Sequence, residues 1–252
     1  ARARKLLEIL VREQQLVDQL VLSFLRSEKL QTHIRYLLEK GAMYRVCNGN
    51  LLYHGCIPME PDGSFTRVTM GDKTYFGKSL MDACDRLCRT AMYDRRMENT
   101  DLLWYLWCGP YSPLNGKDKI ATFERTFLDD PEARTEQKNP YYDLWNSGET
   151  ARTILTEFGV DFERGHIING HVPVRKTKGD TPIKANGKFI NIDGGLSKAY
   201  QPVTGICGYT LVYSSHELYL AEHQPFDPDT AARESADVLS RTIMIEQYPD
   251  RL

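Results

Sequence analysis

Leu6, Leu7, Leu10, Val17, Leu20, Val21 and Phe24 recur at helical spacing along the first stretch of the chain, with charged and amide residues between them. Such a stripe predicts a long helix whose apolar side needs a partner surface. Ser27 reads as the N-cap of a second helix that runs to Lys40 and stops at Gly41. The period then shortens. Met43 to Cys47 and Leu51 to Cys56 flank Asn48-Gly49-Asn50, a hairpin signal. A loop and a second small hairpin occupy 57–76, with Asp62-Gly63 and Gly71-Asp72 as turns. Helical spacing returns from Lys78 to Arg96, with Leu80, Cys84, Leu87, Cys88 and Met92 on a buried face and Arg86, Arg89, Arg95 and Arg96 solvated. Leu102 to Trp107 is an unbroken apolar run and predicts a buried strand or core edge.

From Gly109 to Asn146, Pro, Gly and Asn interrupt any period, and a loop-rich insertion is expected. Ser147 then caps a helix over 148–158 that Gly159 ends. Ile167-Ile168 is a short strand, and Asn186-Gly187 turns an extended run into a second one, Phe189 to Ile192. Another hairpin pairs Gly205–Tyr213 with Leu218–His223, with one face buried through Tyr209, Leu211 and Tyr213. Asp227-Pro228-Asp229-Thr230 opens a last helix over 231–247, packed through Val238, Leu239 and Ile243. Hairpin-paired strands beside capped helices make the fold class mixed α/β (α+β).

Composition narrows the function classes. The chain has 252 residues, enough for one large or two small domains, and 41% hydrophobic with 26% charged residues is ordinary for a globular protein. A net charge of -2 gives no global field that would attract nucleic acid. No apolar run approaches the length of a membrane span, and no membrane partner is expected. Cysteines 47, 56, 84, 88, 108 and 207 form no Cys-x-x-Cys pair. Scattered cysteines without a charged-then-apolar leader predict reduced thiols and a cytoplasmic location. The chain carries no P-loop, dinucleotide or nucleophile-elbow signature.

Its chemistry gathers between Arg164 and Gln201. Asn169-Gly170-His171 ends a strand, and Asp193-Gly194-Gly195 ends the later run. His54 is likewise followed by a glycine at the end of an apolar strand. A histidine at a strand end is usually a hydrogen-bonded structural residue; the repetition favours a shared role. Lys117, Lys119 and Arg125 lie near tyrosines on the loop-rich segment and could hold phosphate, or could be an ordinary surface loop.

The order of three patches, LLYHGCIP (51–58), DLLWYLW (101–107) and INGHVPV (168–174) followed by INIDGG (190–195), resembles the second half of a calcineurin-like metallophosphoesterase. Longer stretches, among them CGPYSPLNGKDKIATFER, KNPYYDL and NGHVPVRKTKGDTPIKANGKFINIDGGLSKAYQ, are similar to the class III bacterial fructose-1,6-bisphosphatases over nearly the whole chain. The resemblance implies a sandwich of two mixed sheets flanked by helices. It also implies hydrolysis of the 1-phosphate of fructose 1,6-bisphosphate in gluconeogenesis, with a divalent metal, typically Mn²⁺. It makes His54 and His171 metal ligands, with His166 as the runner-up to His171, and Lys117, Lys119 and Arg125 substrate-binding groups.

The family's Asp-x-His, Gly-Asp-x-x-Asp-Arg and Gly-Asn-His-Asp elements are absent here. Together with a start at Ala1 inside a helical pattern, this leads to the expectation of a C-terminal part with an incomplete site. A helical segment over 1–41 and a partial metallophosphoesterase domain over 42–252, with an insertion at about 109–146, are expected. A partner is expected too, either a second copy or the missing N-terminal half, because strands that should be covered are left open. Two competing readings remain: a metallophosphatase for another phospho-substrate, and a non-catalytic scaffold.

Overall fold

The computed structural model describes residues 2–94, 96–205, 207–225 and 240–248, with side chains from Ile9 onward. The chain divides into two compact units, Ala1–Ala42 and Met43–Leu252. In the first, helix α1 (Arg2–Arg26) is followed by α2 (Glu28–Lys40). The Ser27 hydroxyl accepts from the Leu30 N–H, and the Gly41 N–H closes the helix on the Leu37 carbonyl, as the capping residues predict. Of the apolar stripe on α1, Leu10, Val17, Leu20, Val21 and Phe24 are all exposed, and the side chains of Leu6 and Leu7 lie outside the described residues.

The second unit begins with the hairpin β1 (Tyr44–Cys47) and β2 (Asn50–Tyr53), turned by Asn48 and Gly49 at φ 51° and 75°. A second hairpin, β3 (Val68–Met70) and β4 (Lys73–Tyr75), leads into α3 (Gly77–Tyr93) and α4 (Met97–Cys108). Short helices α5 (Thr122–Phe127) and α6 (Pro131–Arg134) punctuate the loop-rich segment before α7 (Gly148–Glu157), which Ser147 caps through the Thr150 N–H. Then come β5 (Ile167–Asn169), β6 (Ile183–Lys184), β7 (Phe189–Asn191), α8 (Gln201–Thr204), β8 (Gly208–Tyr213), β9 (Glu217–His223) and β10 (Ser240–Gln247).

These strands form a five-stranded sheet in the order β1-β2-β5-β7-β6 and a three-stranded sheet in the order β10-β9-β8. Strands β2, β5 and β7 are mutually parallel neighbours. Side chains alternate across them. Leu51, Ile167 and Phe189 join a core with α3 and α7 through Leu80, Met81, Ile154 and Leu155. Their sequence neighbours Leu52, Ile168 and Ile190 point the other way, into a core with Tyr209, Leu218, Leu220 and Ile243 of the three-stranded sheet. The order of layers is therefore helices, parallel-centred sheet, antiparallel sheet.

Two elements differ from the sequence expectation. The aromatic run is helix α4, not a strand: only Leu106 is buried, while Trp104 and Trp107 are each 69% exposed. An apolar run this dense carries no period that separates strand from helix. The closing segment 240–247 is strand β10, not helix. Thr242, Ile243 and Ile245 are β-branched, and β9 offers them a free edge, with Ile243 opposite Leu220. The part of that expected helix at 231–239, with Val238 and Leu239, lies outside the described residues.

Candidate active site at the parallel strand ends

Parallel neighbours deliver their carboxyl ends to one edge, where open α/β sheets place their chemistry. His54 follows β2, His171 follows β5 and Asp193 follows β7, so register alone brings the three residues together. The His54 carbonyl accepts the Gly170 N–H at 2.9 Å, which clamps the first two loops. The third is tied in by the Asn191 side chain. Its Nδ2 donates to the Val172 carbonyl at 2.7 Å, and its Oδ1 accepts the Asp193 N–H at 2.9 Å.

Below this edge is a buried polar network. The Asn169 amide donates to the Tyr141 hydroxyl at 2.7 Å, which lies 2.7 Å from the Tyr53 hydroxyl. Burial raises both phenols well above their usual range, so they stay neutral and act as hydrogen-bond posts. Gly55 is required where it stands, because a Cβ there would collide with the Pro113 carbonyl, the same carbonyl that accepts the Cys56 N–H.

The two imidazoles meet edge to face, with His54 Nε2 and His171 Nδ1 3.1 Å apart. His171 Nε2 lies 2.8 Å from the Asn115 carbonyl, which can only accept, so Nε2 carries the proton and Nδ1 presents a lone pair. Two nitrogens each about 2.1 Å from a metal, at about 90°, would be about 3.0 Å apart, so this pair fits adjacent positions on one cation. Burial lowers the His171 pKa, and the facing His54 and Lys117 act in the same direction, which favours the neutral ligand form. Burial raises the Asp193 pKa, and the nearby imidazoles only partly offset this. A carboxylate in that position gains from a bound cation. Among the described residues, no group of three or more His, Cys, Asp or Glu side chains is arranged to hold a metal ion.

His166 is elsewhere. It precedes β5, whose three residues separate it from His171 by about 10 Å of strand. It is buried, with Nδ1 on the Gly187 carbonyl at 2.8 Å and Nε2 3.3 Å from Glu246.

A cavity of about 480 Å³ opens beside the imidazoles, lined on its polar side by His171, Asp193, Lys117, Lys138 and Arg175. Of the expected phosphate-binding residues, Lys117 reaches this cavity, although it also pairs with Glu136 at 2.8 Å. Lys119 donates to the Glu132 carbonyl at 3.0 Å, and Arg125 pairs with Glu136 at 3.2 Å and donates to the Arg134 carbonyl. Neither lines the cavity. Sequence reasoning noticed the acidic Gly-Gly loop without giving Asp193 a role, and it missed Asn115, Lys138 and Arg175. The parallel register of β5 and β7 would have exposed Asp193; the lysine and arginine carry no local signal.

Fold and site together define a mixed α/β protein with nitrogen and oxygen donors at one sheet edge and cations beside them. The sequence model of the Firmicute fructose-1,6-bisphosphatases matches residues 4–252, and the chain belongs to that family. The class 3 fructose-1,6-bisphosphatase of Clostridium botulinum (strain Loch Maree / Type A3) is 50% identical over 250 residues, covering 97% of this chain and 37% of the relative. That of Clostridium tetani (strain Massachusetts / E88) is 49% identical over 245 residues, covering 95% and 37%. The chain thus spans little more than a third of the length of these curated relatives. No solved structure matches it.

Proposed function

We propose that the chain contributes one side of a metal-dependent phosphatase site that hydrolyses the 1-phosphate of fructose 1,6-bisphosphate, in the cytoplasm and in gluconeogenesis. The observation that carries this reading is the His54–His171 pair, 3.1 Å apart at adjacent parallel strand ends with Asp193 beside it. The names of the relatives support the substrate. His54 and His171, with Asp193 beside them, would hold a divalent cation, for which the resemblance to the class III enzymes points to Mn²⁺. Bound there, it would supply positive charge to the phosphoryl oxygens and a more acidic water for the attack. The chain's own residues do the rest. Asn115 holds the His171 tautomer, Gly170 and His54 fix the loop spacing, and Lys117 places positive charge against phosphate. Lys119 and Arg125 support that loop by fastening Glu132, Arg134 and Glu136. The helix–sheet–sheet layering is consistent with a calcineurin-like sandwich.

Two imidazoles and one carboxylate are too few donors for a dinuclear centre, so the chain alone binds Mn²⁺ weakly and releases no phosphate. Calorimetric titration with Mn²⁺ tests the ligand assignment: the His54→Ala/His171→Ala variant loses the weak binding of the parent. Equal binding by the two refutes shared ligation. Phosphate release by the metal-loaded chain at enzyme-like rates refutes the incomplete site.

A further inference from the structure

A second cavity, of about 300 Å³, adjoins the one beside the imidazoles, and Lys138, Val172, Pro173 and Arg175 line both. Lys138 and Arg175 therefore stand on the ridge between the two spaces. Of the other cations in these walls, Lys117 is paired with Glu136 and Lys184 with Asp180 at 2.6 Å, and Lys178 lines only the smaller cavity. Among the described residues, Lys138 and Arg175 have no such ion pair. Lys138 is open to solvent, and its Nζ lies 5.7 Å from the Tyr142 ring centre. Its pKa is lowered first by partial desolvation, then by the charges of Arg175 and Lys117. Asp143 and Asp180, in the wall of the smaller cavity, act the other way and only partly offset this.

Both side chains also spring from fixed backbone. Lys138 pairs with Lys117 in an isolated antiparallel bridge. The next residue, Asn139, accepts the Met59 and Tyr141 N–H groups at 3.1 and 3.0 Å. The Arg175 carbonyl accepts from Lys178 at 2.9 Å and from Asp180 at 3.2 Å, so the turn that carries it is closed. Two cations without a direct ion pair among the described residues, held in place at a cavity mouth and one of them a guanidinium with a planar fork, suit a phosphate monoester.

We infer that Lys138 and Arg175 form a second anion subsite that takes the non-reacting phosphate of a sugar bisphosphate whose reacting phosphate lies at the His54–His171 edge. The inference rests on the phosphatase reading for the identity of the ligand. It assigns the pair to positioning and specificity: a substrate with one phosphate cannot occupy both the ridge and the edge.

The test is calorimetric titration of the chain, without metal, with fructose 1,6-bisphosphate at low salt, where charge contacts are least screened. The parent binds, and Lys138→Met/Arg175→Met weakens binding by about tenfold or more, the loss expected for charge-assisted hydrogen bonds. A charge-matched control, Arg45→Met/Lys73→Met, binds like the parent, and circular dichroism verifies that both variants are folded. Lys138→Arg retains most of the affinity, whereas Arg175→Lys, which loses the fork, does not. No binding by the parent, equal binding by the ridge variant, or an equal loss in the control overturns the subsite. The His54→Ala/His171→Ala variant separates the two ideas. It keeps bisphosphate binding through the ridge while losing Mn²⁺, so unchanged Mn²⁺ binding sinks the metal reading and leaves the anion result to judge the subsite.

Discussion

His171 is held in a left-handed backbone conformation, φ 69°, which an L-residue other than glycine adopts at a cost of about 1–2 kcal/mol. That strain persists because the side chain is secured at both ends of its ring, by Asn115 and by His54. His171→Gly and His171→Ala remove the same imidazole, but only glycine relieves the backbone. His171→Gly should therefore be the more stable of the two by about 1 kcal/mol in urea denaturation, and neither should hold Mn²⁺. An alanine variant as stable as the glycine variant would mean that the backbone is not strained there. The sequence shows Gly170-His171 as a motif, but it does not show that the histidine, rather than its neighbouring glycine, carries the positive φ.

The loop-rich segment is organised around one carboxylate. Burial pushes Glu136 up, but its hydrogen bond to Lys117, the Ala121 N–H and the charges of Lys117 and Arg125 outweigh this and bring its pKa below the ordinary 4.5. A depressed folded-state pKa stabilises the fold above the unfolded-state value, and that contribution is lost as pH falls through the folded one. Glu136→Gln should then cost about 1–2 kcal/mol at neutral pH, and the gap to the parent should close progressively below pH 4.5. A gap that stays constant into acid would show that the effect is packing, not charge. Much at this scale was legible beforehand. Ser27, Ser147 and the Asn-Gly turns act locally, so their caps and hairpins follow from neighbouring residues. What was not legible depends on distant partners. Strand β10 exists because β9 has a free edge, and α4 is a helix because Leu103 and Leu106 reach the core while the tryptophans between and after them do not. Glu136, likewise, meets Lys117 only through a fold-back of 19 residues.

At the scale of the whole molecule, the second unit leaves unusual aromatic surface open. Trp104 and Trp107 are each 69% exposed on α4, and Phe123 and Phe127, at 76% and 75%, stack at 6.5 Å on α5. Soluble monomers seldom leave large aromatic side chains so bare, and exposed aromatic surface of this kind marks contact surfaces. The family model matches residues 4–252, and the chain spans 37% of the length of the relative from Clostridium botulinum. In the isolated chain the available cover is a second copy. We therefore expect concentration-dependent self-association through α4, with the tryptophan fluorescence shifting to shorter wavelength as the rings leave water. Trp145, already buried, would contribute a constant background. Trp104→Gln/Trp107→Gln should move the equilibrium towards monomer without lowering thermal stability, because neither ring packs in a core. Light scattering behind size-exclusion chromatography reads the mass across a dilution series. A parent chain that stays monomeric at every concentration removes self-association. Association that survives the double substitution moves it away from α4.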